Sequence, residues 1–196
     1  MRSTLLIGVL FLVSAATAQT AAPTATPAAT QIRYTRPDSA TRWKNYGLSM
    51  FGPVAIGGYV GTAGILTWTN LPKGWGTHWD GYGKRLASSV GKGVISNTTR
   101  FALEEAFKLD SKYYKSQKRD FGSKVKNAFM SPFVARNETG KLVFGFPHLV
   151  GTYTGAIVAA EVWYPKRYDF KDGLKSGSIS IGTNILFNLV KEFIHK

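Results

Sequence analysis

Five carboxylates of this 196-residue chain could serve in general acid–base chemistry, which needs a positioned Glu or Asp side chain with a tuned pKa. They are Glu104, Glu105, Asp110, Glu161 and Glu192. Glu104 and Glu161 are the catalytic candidates. Glu161 interrupts the apolar run "GAIVAAEVWY", so it needs a partner if that run is buried. Arg100, Arg119 and Arg167 could supply one, and a structural ion pair is the alternative to catalysis.

Other catalytic signatures are missing from the sequence. The three histidines, at positions 78, 148 and 195, lack the spacing of zinc ligands. The chain carries no nucleophile elbow, Walker loop or dinucleotide fingerprint. The sequence therefore predicts no metal site and no cofactor.

The densest basic stretch is "KLDSKYYKSQKRDFGSKVK", residues 108–126, which holds seven basic and two acidic side chains. It could bind an anionic membrane surface or a polymer that stacks on its tyrosines. The alternative is a solvated connector whose tyrosines cover the edge of the core. The binding candidates are Lys112, Tyr113, Tyr114, Lys115, Lys118 and Arg119.

A second cluster, "WGTHWDGYGKR", groups Trp75, Trp79 and Tyr82 as a candidate aromatic patch. Aromatic rings beside hydrogen-bonding groups can bind sugars, and they can equally form an interfacial belt or pack around a helix start. A soluble sugar-binding module would need Trp75 and Trp79 exposed on one face.

The N-terminus predicts export. Residues 1–18 combine Arg2, an apolar run and a terminal Ala-Thr-Ala, which is the pattern of a cleaved signal peptide. Cysteine is absent, so a folded domain must depend on its core without disulfides. We expect the mature protein in the periplasm or at the outer membrane.

The net charge limits the partners. Lys and Arg number 25 against 11 Asp and Glu, a formal charge of +14. This excess favours an anionic membrane surface or an envelope polysaccharide, and export makes nucleic acid the least favoured anion. Self-association into a homo-oligomer is a further possibility.

The elements that must position these residues are mainly helical. Residues 19–42 are rich in Ala, Thr and Pro and predict a disordered linker, followed by one helical domain over 43–196. Apolar periodicity predicts helices near 81–109, 120–129, 147–163 and 176–196, with a small β-hairpin near 133–145. In the last helix, an apolar face with Ile181, Ile185 and Leu189 opposes a polar face with Asn184 and Asn188.

Small residues recur at four-residue spacing along several helices. Gly57 and Gly61 form one such pair, and Gly151 and Gly155 form another. Such spacing gives a flat groove into which a neighbouring helix can pack closely. We therefore predict glycine-mediated helix packing at all four positions.

The charge-free segment of residues 45–72 is long enough to cross a bilayer, but it is rich in glycine. Its few large apolar residues contribute only about −2 to −4 kcal/mol to the free energy of inserting this segment as a lone helix. Trp43 and Trp68 resemble interfacial anchors at its two ends. Burial in the protein is the favoured interpretation and insertion in a membrane is the alternative.

At "WDGYGKR", "LDSKYYKS", "VKNAF" and "GTNILFNLVKEF" the chain resembles a family of uncharacterised exported bacterial proteins. The resemblance implies bacterial export and a helical fold, and it implies no activity.

Together these features favour a non-enzymatic, basic protein of the cell envelope, associated with a membrane or partly inserted into it. The alternatives are a hydrolase or lyase acting on an envelope polymer, and a soluble sugar-binding module. Period-3.6 patterning speaks against an outer-membrane barrel.

Overall fold

The computed structural model describes residues 34–194, which form a mainly helical domain with one small hairpin. The helices are α1 (Ser39–Phe51), α2 (Pro53–Trp68), α3 (Trp79–Ala106), α4 (Phe121–Met130), α5 (Phe146–Val162) and α6 (Phe170–Phe193). A 3-10 turn, Ser131–Phe133, leads into the antiparallel strands β1 (Val134–Arg136) and β2 (Leu142–Phe144). The predicted fold class and hairpin are confirmed.

Four long helices, α2, α3, α5 and α6, pack in chain order, each on the next. Neighbouring helices run in opposite directions. At one end of the bundle the α2–α3 loop meets the α5–α6 loop, where the ring centroids of Trp75 and Tyr164 lie 5.2 Å apart. At the opposite end, Phe107 after α3 meets Phe146 at the start of α5, with ring centroids 5.0 Å apart. We call residues 107–145 the hairpin end, and residues 69–78 with 163–169 the loop end.

Local sequence explains where the helices begin. Asp38 and Asp120 cap α1 and α4 by accepting hydrogen bonds from the backbone N–H of Thr41 and Ser123. Asp169 forms a capping box with Asp172 at the start of α6. Between α1 and α2, Gly52 is extended, as a residue before proline prefers, and this separates two helices that would otherwise be continuous.

Glycines let α5 approach both of its neighbours closely. A Cβ atom at Gly151 would stand 2.5 Å from the Ser96 carbonyl oxygen of α3. On the α6 side, a Cβ at Gly173 would stand 2.7 Å from the Ile157 Cα. The α3, α5 and α6 backbones are therefore closer than any side chain at these positions would permit.

The predicted packing role of Gly57 and Gly61 is wrong in this domain. Both glycines are exposed, and a Cβ at either position would meet nothing within 4 Å. Contact between α2 and α3 instead uses Ala63, which is fully buried, and Tyr59, whose ring fills the space beside Gly93. Four-residue spacing identifies a small-residue face and does not specify whether a neighbour covers it.

The favoured burial of residues 45–72 is also wrong. Ser39–Trp68, which comprises α1 and α2, is the one described stretch that is long and apolar enough to cross a bilayer alone. Only 17% of its most apolar window is buried inside the domain. A core helix of a soluble protein with this composition would be mostly buried.

The interior is built from small and polar side chains. Six of the eight buried hydrophobic residues are alanines, whereas Arg85, Ser88, Ser89, Asn188 and Glu192 are buried polar residues. In α6 the two predicted faces do not match burial: Ile181 of the apolar face is 8% exposed, but the neighbouring Leu186 is 63% exposed and Asn188 of the polar face is 2% exposed. Part of the apolar surface of α6 is therefore turned outward, and part of its polar face lies in the interior.

The predicted linker extends too far. Residues 34–42 belong to the domain: α1 begins at Ser39, Tyr34 donates to Asp110 at 2.6 Å, and Arg36 pairs with Glu105 at 3.0 Å. Single-sequence composition could not reveal these long-range partners. The predicted signal peptide, residues 1–18, and most of the linker lie outside the described residues.

Candidate functional site

A polar cleft lies among α2, α3, α5 and α6, with a volume of about 360 Å³. Most lining side chains carry a hydroxyl or an amide, and small residues fill the gaps between them. The hydroxyl and amide residues are Ser49, Tyr59, Thr62, Ser89, Ser96, Asn97, Thr152, Ser180, Thr183 and Asn184. The helices thus present polar groups to one another across a cleft that is partly open at Thr62, Ser180 and Thr183.

Every charged side chain that lines this cleft is basic. Lys92 and Arg100 project from α3, His148 adds an imidazole from α5, and no carboxylate is among the described lining residues. Lys92 is half-buried and forms no ion pair with any described residue. A low-dielectric space with only basic charges attracts anions.

The cleft also contains polar atoms without protein partners. Tyr59 Oη, Ser89 Oγ, Arg100 Nε and His148 Nε2 are all buried and lack a hydrogen-bond partner among the described residues. Buried polar atoms almost always have one. Arg100 Nε lies 3.6 Å from Glu104 Oε1, close enough for an ion pair but too far for a hydrogen bond. The cleft therefore has hydrogen-bonding capacity that the protein itself does not use.

A second cavity of about 460 Å³ adjoins the cleft toward the hairpin end and shares Arg100, His148 and Asn184 with it. Two of the carboxylates that line it, Glu105 and Asp110, already accept hydrogen bonds from other side chains of the protein. Glu105 accepts hydrogen bonds from Arg42 at 2.6 and 2.9 Å. Asp110 Oδ2 accepts from Tyr34 at 2.6 Å and from Tyr114 at 2.7 Å.

The two catalytic candidates are not brought together. Glu104, half-buried, lies near the hairpin end and accepts from the Ser111 N–H at 3.2 Å. Glu161 lies at the other end of α5, is exposed, and forms no ion pair with Arg100, Arg119 or Arg167. A glycosidase-type pair needs two carboxyl groups about 5–10 Å apart, so this arrangement does not supply one.

The predicted basic and aromatic binding segment divides into two sets of residues. Lys112, Lys115, Lys118 and Arg119 are exposed at the hairpin end. Tyr113 and Tyr114 are half-buried and turned inward, so they do not form a stacking platform.

The two tyrosines instead hold the connector to the bundle. Tyr113 donates to Glu192 Oε1 of α6, which also accepts from the Ser116 N–H at 2.8 Å and from Asn127 Nδ2 at 2.7 Å. Burial, followed by hydrogen bonding to a carboxylate, raises the pKa of both tyrosines well above the usual value.

The aromatic patch is likewise split. Trp79 is 86% exposed and lies near Tyr82 and Trp68. Trp75 is half-buried and packs edge-on against Tyr164. It lines a different surface depression from the one that Trp79 lines. Trp75 and Trp79 thus do not share one exposed face, as a sugar platform would require.

Sequence reasoning missed the cleft, although a signal was present. Lys92, Ser96 and Arg100 recur every fourth residue of α3 and therefore lie on one helical face. Reading α3 for its polar period, instead of its apolar stripe, would have identified these residues. Within residues 34–194, no three His, Cys, Asp or Glu side chains are grouped to hold a metal ion.

Comparison with protein-family models, curated proteins and solved structures gave no match for this chain.

Proposed function

We propose that this chain is a basic, non-enzymatic membrane protein of the cell envelope, whose long helices are inserted in the bilayer as a bundle. The observation that carries the proposal is the reversed polarity of the domain. Its interior is polar or made of small residues, and its exterior is apolar.

The exposed surface is unusually apolar for a protein in water. Large hydrophobic side chains on the outer faces of α2 and α6 include Val54, Ile56, Ile65, Ile179, Leu186 and Val190, each at least half exposed. Single exposed apolar residues are common, but large contiguous apolar surfaces mark sites that contact lipid or another protein. Lipid can cover the outer faces of all these helices at once.

Helix lengths match a bilayer. At 1.5 Å per residue, the 16 residues of α2 extend about 24 Å and the 24 residues of α6 about 36 Å. The hydrocarbon core of a typical bilayer is about 30 Å thick. Helices with polar inner faces enter it as a bundle, where those faces meet one another away from lipid.

The distribution of charge supports the same interpretation. Helix α2 has no charged residue, residues 86–103 of α3 carry only Lys92 and Arg100, and residues 176–190 of α6 carry none. Lys92 and Arg100 line the cleft, away from the apolar exterior. Intramembrane charges in helical bundles face the interior or a polar cavity in this way.

Exposed tryptophans occur at both ends of the α1–α2 unit. Trp43 is 61% exposed near the hairpin end, and Trp68 is 85% exposed beside the loop end. Tryptophan is enriched at membrane interfaces, where its ring contacts lipid and its N–H meets water. The exposed lysines and Arg119 of the hairpin end would then face anionic head groups.

Export completes the proposal and rests on the N-terminal sequence pattern of residues 1–18. That pattern would deliver the domain to the envelope of a bacterial cell.

Membrane fractionation tests the proposal. Membranes from cells that express the full chain are washed first with about 1 M salt and then with alkaline carbonate. At that ionic strength the Debye length is about 3 Å, so attraction between surface charges is largely screened. An inserted bundle stays in the pellet after both washes. Release by salt alone would show electrostatic adsorption and would overturn insertion.

A further inference from the structure

We propose that the polar cleft among α2, α3, α5 and α6 binds a phosphate-bearing anion, with Lys92 and Arg100 as its charge partners. The lipid-borne form of this ligand rests on the proposed membrane insertion, whereas the anion site itself does not.

Charge selects the sign of the ligand. Lys92 is the one charged lining group without a carboxylate in ion-pair range among the described residues, and Arg100 shares its charge with Glu104 at 3.6 Å. Two basic side chains against one neighbouring carboxylate leave the cleft positive. Inside an apolar exterior this charge is poorly screened, so a bound anion would compensate it.

The unused hydrogen-bond donors of the cleft indicate which kind of anion it would bind. The cleft offers the buried Arg100 Nε and the hydroxyls of Tyr59 and Ser89, none of which has a protein partner within the described part of the chain. Thr62 and Asn184 add further donors at the lining, whereas the Thr183 hydroxyl already donates to the Ile179 carbonyl oxygen. Phosphate oxygens accept several hydrogen bonds, and charge-assisted bonds from Arg and Lys are the strongest of these.

The ligand would enter the cleft between α2 and α6. Helices α2 and α6 both line the cleft, but in the described domain they do not pack extensively on each other as the other neighbouring helices do. Phe187 lines the cleft and is also 58% exposed on the apolar exterior. A lipid could therefore place its phosphate in the cleft while its chains lie against the outer surface of α2 and α6.

Binding is measured on the full chain purified in a zwitterionic detergent, with two classes of probe. One is dioleoyl phosphatidic acid in mixed micelles with phosphatidylcholine, and the other is inorganic phosphate with glycerol 3-phosphate. Three variants are compared with the wild type. Lys92→Gln removes the cleft charge, Lys92→Arg retains it, and Lys171→Gln removes an exposed lysine at the start of α6, outside the cleft.

The expected result is that Lys92→Gln weakens binding about tenfold or more, as loss of a charged hydrogen bond does. Lys92→Arg should retain most of the affinity and Lys171→Gln should leave it unchanged. Saturable binding of inorganic phosphate would identify a soluble source of the ligand, and binding of phosphatidic acid alone would identify a lipid source.

Two results would overturn the site. One is that neither class of probe binds the wild type, and the other is equal loss in Lys92→Gln and Lys171→Gln, which would mean general surface electrostatics. Retention of helical circular dichroism in Lys92→Gln separates loss of the site from loss of folding. Because the phosphate arm is done in detergent, it fails or succeeds independently of the carbonate wash that tests insertion.

Discussion

Gly155 of α5 lies directly against Lys92 of α3, so that a Cβ atom at position 155 would stand 2.7 Å from the Lys92 carbonyl oxygen. Backbone cannot move away as a flexible side chain can, so Gly155→Ala must separate the two helices. We expect it to lower the free energy of unfolding by about 1–3 kcal/mol. Thermal unfolding in detergent, followed by helical circular dichroism, measures this.

Gly57→Ala is the matched control, since a Cβ at the exposed Gly57 meets nothing within 4 Å. Alanine is a better helix former than glycine by about 1 kcal/mol, so this variant should be unchanged or more stable. Similar losses in both variants would contradict the close packing of α3 on α5.

Glu192 is predicted to anchor the connector between α3 and α4. It is 5% exposed, and its Oε1 accepts hydrogen bonds from the Tyr113 hydroxyl, the Ser116 N–H and Asn127 Nδ2. Glu192→Ala removes the acceptor that the three donors share and leaves the Ser116 N–H without another partner among the described residues, so it should cost about 2–4 kcal/mol of stability. Denaturant unfolding measures the loss.

Glu161→Ala is the corresponding control, because Glu161 is an exposed carboxylate without an ion-pair partner among residues 34–194. A change within about 0.5 kcal/mol is expected there. A Glu192→Ala variant as stable as Glu161→Ala would rule out the anchoring role.

Arg85 is predicted to hold the loop end in place. It is fully buried, and its guanidinium donates to the carbonyl oxygens of Leu71 and Gly76 at 2.6 Å each, with further bonds to Asn70 and Pro72. Lysine cannot reproduce this forked set of donors. Arg85→Lys should therefore expose residues 69–78 to proteolysis, with cleavage at least several-fold faster than in wild type.

The neighbouring Lys84→Gln is the control for Arg85→Lys, since Lys84 is exposed and forms only a surface ion pair with Asp80 at 3.7 Å. Its loop should resist protease as the wild type does. Equal cleavage of both variants would show that the loop does not depend on the Arg85 contacts.

Stability should fall at high pH because of the buried tyrosine hydroxyls. Burial and hydrogen bonding to carboxylates raise the pKa of Tyr113 and Tyr114 in the folded state above the unfolded value near 10. A group with a raised folded pKa contributes its full stability below the unfolded pKa and loses it as the pH rises. The denaturant midpoint should therefore drop between pH 10 and pH 12.

The double variant Tyr113→Phe, Tyr114→Phe isolates this contribution from lysine titration. Its stability deficit relative to wild type should shrink above pH 10, because the wild type then loses what the variant already lacks. A deficit that stays constant up to pH 12 would mean that the hydroxyls titrate normally.

Helices and hairpin were predictable because their signals are local. Proline at the start of α5, aspartate caps and 3.6-residue periodicity place each element without reference to its neighbours. The orientation of those helices was not predictable in the same way. Periodicity separates the Leu186 side of α6 from the Asn188 side, but the surrounding medium decides which side faces inward.

The same limit explains the site residues. Tyr113 was a candidate ligand contact, with a structural role at the edge of the core as the alternative. It bonds to Glu192, a partner 79 residues away that only tertiary structure brings near, which agrees with the alternative. Arg100 was named only as a possible partner of Glu161, and Lys92 was not among the candidate site residues. They line the cleft because α3 is surrounded by other helices and its polar face is the inner one.

The most direct test of bundle insertion is to measure whether the outer face of α6 contacts lipid or water. The chain lacks cysteine, so single cysteines can be introduced and labelled with bimane at Ile179→Cys, an exposed position of α6, and at Lys118→Cys on the hairpin end. In reconstituted vesicles, bilayer insertion predicts that brominated lipid quenches the label at position 179 and that aqueous iodide quenches the label at 118. Iodide quenching at 179 equal to that at 118, with no effect of brominated lipid, would contradict it.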